Sequence, residues 1–169
     1  GIEAEGGDQN VRIWNNYMEE VLIPIANAAA SIGPLYAWRN VSGRCYSPPG
    51  SSWNMTHGPL FKMGYAGGEK WMTGHMYIFN NTIFQANDEG ASGLGGSSRV
   101  IKHCVSRNNV LHVRTSDTRS ISTGKNVDND FDYDLLSARH PAGQEEHGIH
   151  GKPKYAPGAG FEFETKAGS

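Results

Sequence analysis

Along this chain, two or three apolar or aromatic residues recur just ahead of an asparagine. The pattern appears in Val11-Arg12-Ile13-Trp14-Asn15-Asn16, in Leu35-Tyr36-Ala37-Trp38-Arg39-Asn40 and in Met76-Tyr77-Ile78-Phe79-Asn80-Asn81, with a looser copy in Cys104-Val105-Ser106-Arg107-Asn108. Taking Asn16, Asn40, Asn81 and Asn108 as equivalent gives separations, by subtraction of their numbers, of 24, 41 and 27 residues. The middle interval contains a Gly-, Pro- and Ser-rich stretch from 42 to 59. With that stretch set aside as a loop of about 17 residues, all three intervals fall in the twenties. An internal repeat of this length with short strands predicts stacked, near-identical units. Coils would then lie at the ~4.8 Å spacing of neighbouring strands, and an Asn at the same corner of each would bond its amide to those above and below.

Other segments fill in the units. Ile2 to Glu5 alternates as a strand with Glu3 and Glu5 on one side. Pro24 argues against a helix over residues 17–31, which leaves strands at Val21 to Ile25 and Ala28 to Ile32. Leu60 to Met63 resumes a strand, Gly64 to Thr73 is an excursion, and Ala91 to Arg99 is a flexible connection. Asp128, Asp130, Asp132 and Asp134 alternate with Phe131, Tyr133 and Leu135, which predicts four carboxylates on one face of a strand near the end. The expected division is coils over 1–140 with a loop insertion at 42–59, then an irregular C-terminal segment, 141–169, packed on the last coil.

Composition supports an all-β reading and says little about partners. The 22 glycines and a mean hydropathy of −0.53 describe a turn-rich chain. A formal net charge of −2 over 169 residues gives no electrostatic reason to expect nucleic acid or an anionic membrane. No apolar run approaches the roughly 18 to 20 residues that span a bilayer, and the first residues lack the layout of a signal peptide. The opening Gly1-Ile2-Glu3-Ala4-Glu5 has no initiating Met and reads as a strand already in progress, so the chain is expected to start inside a larger protein. Cys45 and Cys104 are too few for a disulfide framework and are expected to be free thiols.

The coil-like segments Tyr77-Ile78-Phe79-Asn80-Asn81-Thr82-Ile83-Phe84 and Arg107-Asn108-Asn109-Val110-Leu111 resemble right-handed parallel β-helix proteins of the pectate-lyase-like superfamily. Phe131-Asp132-Tyr133-Asp134-Leu135 is similar to the last-coil segment of that group. Gly143-Gln144-Glu145-Glu146-His147-Gly148-Ile149, with Pro153-Lys154-Tyr155, is similar to the segment that follows it. The resemblance covers most of the chain. It implies a right-handed parallel β-helix of about five to six coils, part of a longer helix, in a bacterial protein that is secreted or periplasmic and carbohydrate-active. A fold of this kind hosts many functions.

Within that implication, three groups could carry chemistry. Glu3 and Glu5 lie ~6.6 Å apart on one strand face by the rise per residue, and with Asp8 they resemble the acidic pairs with which some β-helix lyases hold calcium. Asn10 and Arg12 stand where a lysine would complete that likeness. A lyase also needs a basic residue to take the proton beside a uronate carboxylate. Lys62, Lys102 and Arg107 are the catalytic candidates, and Arg12, Arg39, Tyr36, Tyr77 and Trp38 the substrate-binding ones. The expected activity is cation-assisted β-elimination on a uronate-containing polysaccharide. The alternative is a non-catalytic glycan-binding, structural or adhesive module, and self-association through uncapped coil ends is a further partner expectation. His147-x-x-His150 lacks a third zinc ligand, and neither a phosphate loop nor a Gly-x-Ser-x-Gly elbow is present.

Overall fold

A computed structural model describes residues 1–27, 30–43, 61–63, 69–85, 92–95, 100–113, 119–123 and 125–155. The described residues are all-β, with eighteen short strands, one 3-10 turn at Glu69–Trp71 and no α-helix. Three sheets dominate. The first contains β1 (Ile2–Glu3), β4 (Ile25–Asn27), β7 (Phe61–Met63), β10 (Leu94–Gly95) and β14 (Ile121–Ser122). The second is built from β2 (Val11–Trp14), β5 (Leu35–Trp38), β8 (Met76–Phe79), β12 (Cys104–Arg107) and β16 (Asp130–Phe131). The third holds β3 (Tyr17–Met18), β6 (Val41–Ser42), β9 (Thr82–Gln85), β13 (Val110–Val113), β17 (Leu135–Leu136) and β18 (Ile149–His150). A fourth, two-stranded sheet joins β11 (Val100–Lys102) to β15 (Lys125–Val127).

Every strand pairing is parallel. Over the first nine strands the chain visits the three sheets in turn and returns to each one strand further along, so that β2 pairs β5 and β5 pairs β8. This order is compatible with a parallel β-helix. The inward residues stack in register: Leu35, Met76 and Cys104 form one row, and Ile25, Phe61, Leu94 and Ile121 another, all buried. Each such side chain contributes roughly 1.5 to 3 kcal/mol through apolar burial, and Cys104 is a free, buried thiol in the row.

A left-handed residue makes the corner between the second and third sheets. Asn15, Arg39, Asn80, Asn108 and Tyr133 have φ of 59°, 54°, 55°, 57° and 60°, and the residue after each turns inward. Asn16, Asn40, Asn81 and Asn109 form the expected ladder. In three steps the backbone N–H and the side-chain amide of one Asn both donate to Oδ1 of the next, at 2.8 to 3.2 Å. The fourth rung is therefore Asn109 rather than Asn108. Arg107-Asn108 copies Arg39-Asn40 in sequence, but Arg107 aligns with Trp38 in space because both register with Phe79. Asn108 thus takes the left-handed, outward corner position. Asp134 ends the run: its Oδ1 accepts from Asn109 N at 2.8 Å and from Asn109 Nδ2 at 3.0 Å.

Several local expectations change. Strand β3 begins directly after the Asn16 corner, Val21 to Pro24 are irregular, and Ala30 makes an isolated parallel bridge to Gly6. A two-residue strand gives no period to detect, which is why β3 is not apparent in the pattern. The four aspartates do not share a face: the corner at Tyr133 rotates the alternation, leaving Tyr133 52% exposed and Asp134 fully buried. Within the expected connection 91–99, Leu94–Gly95 is a strand of the first sheet. A Cβ at Gly95 would meet the Ser122 carbonyl oxygen at 1.9 Å, so that glycine answers to a close strand approach. The C-terminal segment contributes β18 to the third sheet. Most of the insertion at 42–59, with Cys45, lies outside the described residues, as does 156–169. No helix among the described residues is long and apolar enough to cross a membrane.

Candidate functional site

The outer face of the second sheet gathers aromatic and basic side chains from several strands. Because side chains alternate along each strand, the register fixes two outward rows. One row runs Arg12, Tyr36, Tyr77, Val105, Asp130, and the other Trp14, Trp38, Phe79, Arg107. Trp14 stacks on Trp38 with ring centroids 5.2 Å apart and planes 6° from parallel. Tyr36 stacks on Tyr77 at 5.1 Å and 14°. His75 continues this edge, 6.3 Å from Tyr77 and 4.9 Å from His103. Of the five expected substrate-binding residues, Arg12, Tyr36, Tyr77 and Trp38 stand on this one face, and Arg39 occupies the exposed corner immediately beyond Trp38.

The stacking direction matters for what the face can bind. The rings stack on one another along the direction in which strands pair, so inside a row each ring covers its neighbour and turns its edge to solvent. Trp14 is different: β2 is the last strand of its sheet, and its indole is 52% exposed. Trp14 and Phe79 are absent from the sequence-based candidate list, although both occupy the same repeat position as Trp38.

Arg107 closes the other end. One guanidinium nitrogen donates at 2.8 Å to the Ser106 and the Asp130 carbonyl oxygens, the other pairs with the Asp130 carboxylate, and the group lies 5.9 Å from the Tyr133 ring centroid. Tyr133 stacks on His147 at 4.8 Å and 5°. His147 Nδ1 lies 2.8 Å from Asp132 Oδ2, and the His147 backbone N–H donates to Asp132 Oδ1 at 2.8 Å. These bonds outweigh desolvation and hold the Asp132 carboxyl below its ordinary range. Arg107 thus already has its partners and acts as a clamp on β16.

The three catalytic candidates stand on three different sheets. Lys62, on β7, reaches Glu5 Oε1 with its ammonium at 3.2 Å. Lys102 ends β11 beside His103. Burial, followed by the Lys102 charge and His75, lowers the His103 pKa against the opposing pull of Asp128, 3.9 Å away. Arg107 is on β12. Glu3, Glu5 and Asp8 are exposed around β1, and Lys62 supplies from a distant part of the chain the lysine that is missing locally. Among the described residues no three His, Cys, Asp or Glu side chains come together as metal ligands, and Glu5 already holds an ammonium group.

The geometry defines an all-β protein of parallel sheets with one aromatic, arginine-edged outer face. Compared with known protein families, with curated proteins and with solved structures, the chain shows no match.

Proposed function

We propose that the chain winds as a right-handed parallel β-helix and that the outer face of its second sheet binds an acidic polysaccharide. The handedness follows the general preference of parallel strand connections. The observation that supports the reading is the register of β2, β5 and β8, which lines up Trp14, Trp38 and Phe79 beside Arg12, Tyr36 and Tyr77. The exposed ring edges of these rows suit the C–H surfaces of sugar rings. An arginine can meet a uronate carboxylate through two parallel N–H donors. A glycan bound here would run across the strands, from Arg12 and Trp14 toward Phe79. Binding without turnover is favoured, because Lys62 and Lys102 lie on other sheets and Arg107 is engaged with Asp130. The role places the protein outside the cytoplasm, secreted or periplasmic.

A second reading, a polysaccharide lyase, is supported by the Glu5–Lys62 contact, which sets an ammonium group beside the acidic strand. Affinity electrophoresis against uronate-rich and neutral polysaccharides separates the two. Retention by the acidic polymers is expected, weakened roughly tenfold, or about 1.4 kcal/mol, by Trp14→Ala or Arg12→Ala and unchanged by Lys62→Ala. Absence of retention across the panel sinks the binding reading. Ultraviolet-absorbing unsaturated products, the signature of β-elimination beside a carboxylate, would establish the lyase instead.

A further inference from the structure

Beyond the glycan face, the ladder ends in two buried carboxyl groups whose surroundings are unequal. Asp134 is fully buried and Glu145 is 3% exposed. The Asp134 carboxylate receives three donors: Asn109 N at 2.8 Å, Asn109 Nδ2 at 3.0 Å and Ser106 Oγ at 2.5 Å. Glu145 receives one at Oε2, the Asp134 backbone N–H at 3.1 Å, and its buried Oε1 has no partner in the described structure. An ionised Glu145 would place a second, nearly undonated charge against an ionised Asp134, an arrangement that buried groups avoid by keeping a proton. Counting donors puts that proton on Glu145, with Asp134 as the anion.

The same residue holds the chain segment that covers the end of the ladder. Glu145 sits at the tip of residues 141–148 with a left-handed φ of 58°. Its backbone N–H donates to the Phe131 carbonyl at 2.8 Å, while the neighbouring Gln144 side chain accepts from Phe131 N at 2.7 Å. A Cβ at Gly148 would lie 2.8 Å from Glu145 Oε2, so the side chain is closely boxed.

We propose that the Asp134–Glu145 carboxyl pair is a proton-operated latch: one shared proton keeps residues 141–148 closed over the last rung of the asparagine ladder, and losing it loosens them. Burial first, then the Asp134 charge, raises the Glu145 carboxyl from its ordinary 4.5 to about 8, and burial raises Asp134 as well. Asp132, held by His147, adds further negative charge. The Cys104 thiol, itself raised by burial and by Asp134, stays neutral. Ser106, Asn109 and Gln144 supply uncharged groups. Deprotonation therefore sets Glu145 against Asp134 and Asp132 and favours its escape to water. The His147–Asp132 clamp and β18 keep the segment attached, so the opening is local.

Hydrogen exchange of the full chain, corrected for the intrinsic pH dependence of amide exchange and followed by mass spectrometry from pH 5 to 9, reads the latch directly. Amides at 145 and 148 are expected to lose protection at least tenfold across this range, while those of β8 and β9 keep theirs. Glu145→Gln, which carries a permanent donor in place of the proton, is expected to hold the protection level through pH 9. If that variant does not fold, Asp134→Asn serves in its place, since removing the facing charge also flattens the profile. Protection at 145 and 148 that does not change with pH, or a folded variant that keeps the wild-type profile, overturns the proposal.

Discussion

Asn81 shows how much one side chain does in this chain. It is 3% exposed, accepts two bonds from Asn40, and donates from its amide to the Asn109 Oδ1 and the Ala37 carbonyl. Asn81→Ala removes these and strands the Asn40 donors, and buried unsatisfied polar groups cost about 1 to 3 kcal/mol each. The expected loss is about 2 to 4 kcal/mol, read as a lower urea midpoint with little change in slope, and an unchanged midpoint would show that Asn81 is not a structural rung. Most of the ladder is legible in the sequence because an Asn follows the same apolar context each time. The error at Asn108 arises because a run of two asparagines hides which is left-handed and which points inward. Asp134 and Glu145 are not legible as ladder members, since nothing in their spelling announces burial or a shared proton.

At the scale of the strand, glycines mark where neighbouring backbones come close. At Gly95, φ is 98° and the next strand's Ser122 carbonyl would meet any Cβ. Gly95→Ala is expected to destabilise by more than about 1 kcal/mol through strain and displacement of β14, checked by thermal melting of the single variant. A wild-type melting temperature would return this stretch to the role of a loose connection. The composition of 91–99 looks like a flexible link because glycine serves both purposes, and only the position of β14 distinguishes them. The second sheet, by contrast, is readable in advance, since its four-residue strands are long enough to show alternation and their outward aromatic residues stand at matching positions. The catalytic candidates are not readable in this way. Sequence separation does not tell which sheet Lys62, Lys102 or Arg107 joins, and the contact of Lys62 with Glu5 spans 57 residues.

For the whole molecule, stability should follow the buried acids more than the surface charges. A carboxyl whose folded pKa is raised contributes stability that is fully present below its unfolded value and is lost as pH rises through the folded one. For Glu145 that window runs from 4.5 to about 8, Asp134 shifts in the same sense, and the raised Cys104 extends the loss above pH 9.0. Asp132, shifted the opposite way, loses its contribution as pH falls through 3.8 and below. Urea midpoints are therefore expected to be highest at about pH 4 and to decline to pH 9, and a midpoint that rises from pH 5 to pH 8 would contradict this accounting. The asparagine ladder carries one more consequence, for how the stack could be lengthened. Each asparagine also donates back to a carbonyl of lower number, but from rung to rung every amide donates to the next-numbered side chain, so the row is a one-way relay that finishes on an acid. A designed coil inserted between two asparagine rungs could pass the relay on with an asparagine of its own. One placed after β17 would first have to displace the Glu145 tip and bond to a carboxylate. Insertion within the row and addition at its acidic finish are therefore not interchangeable.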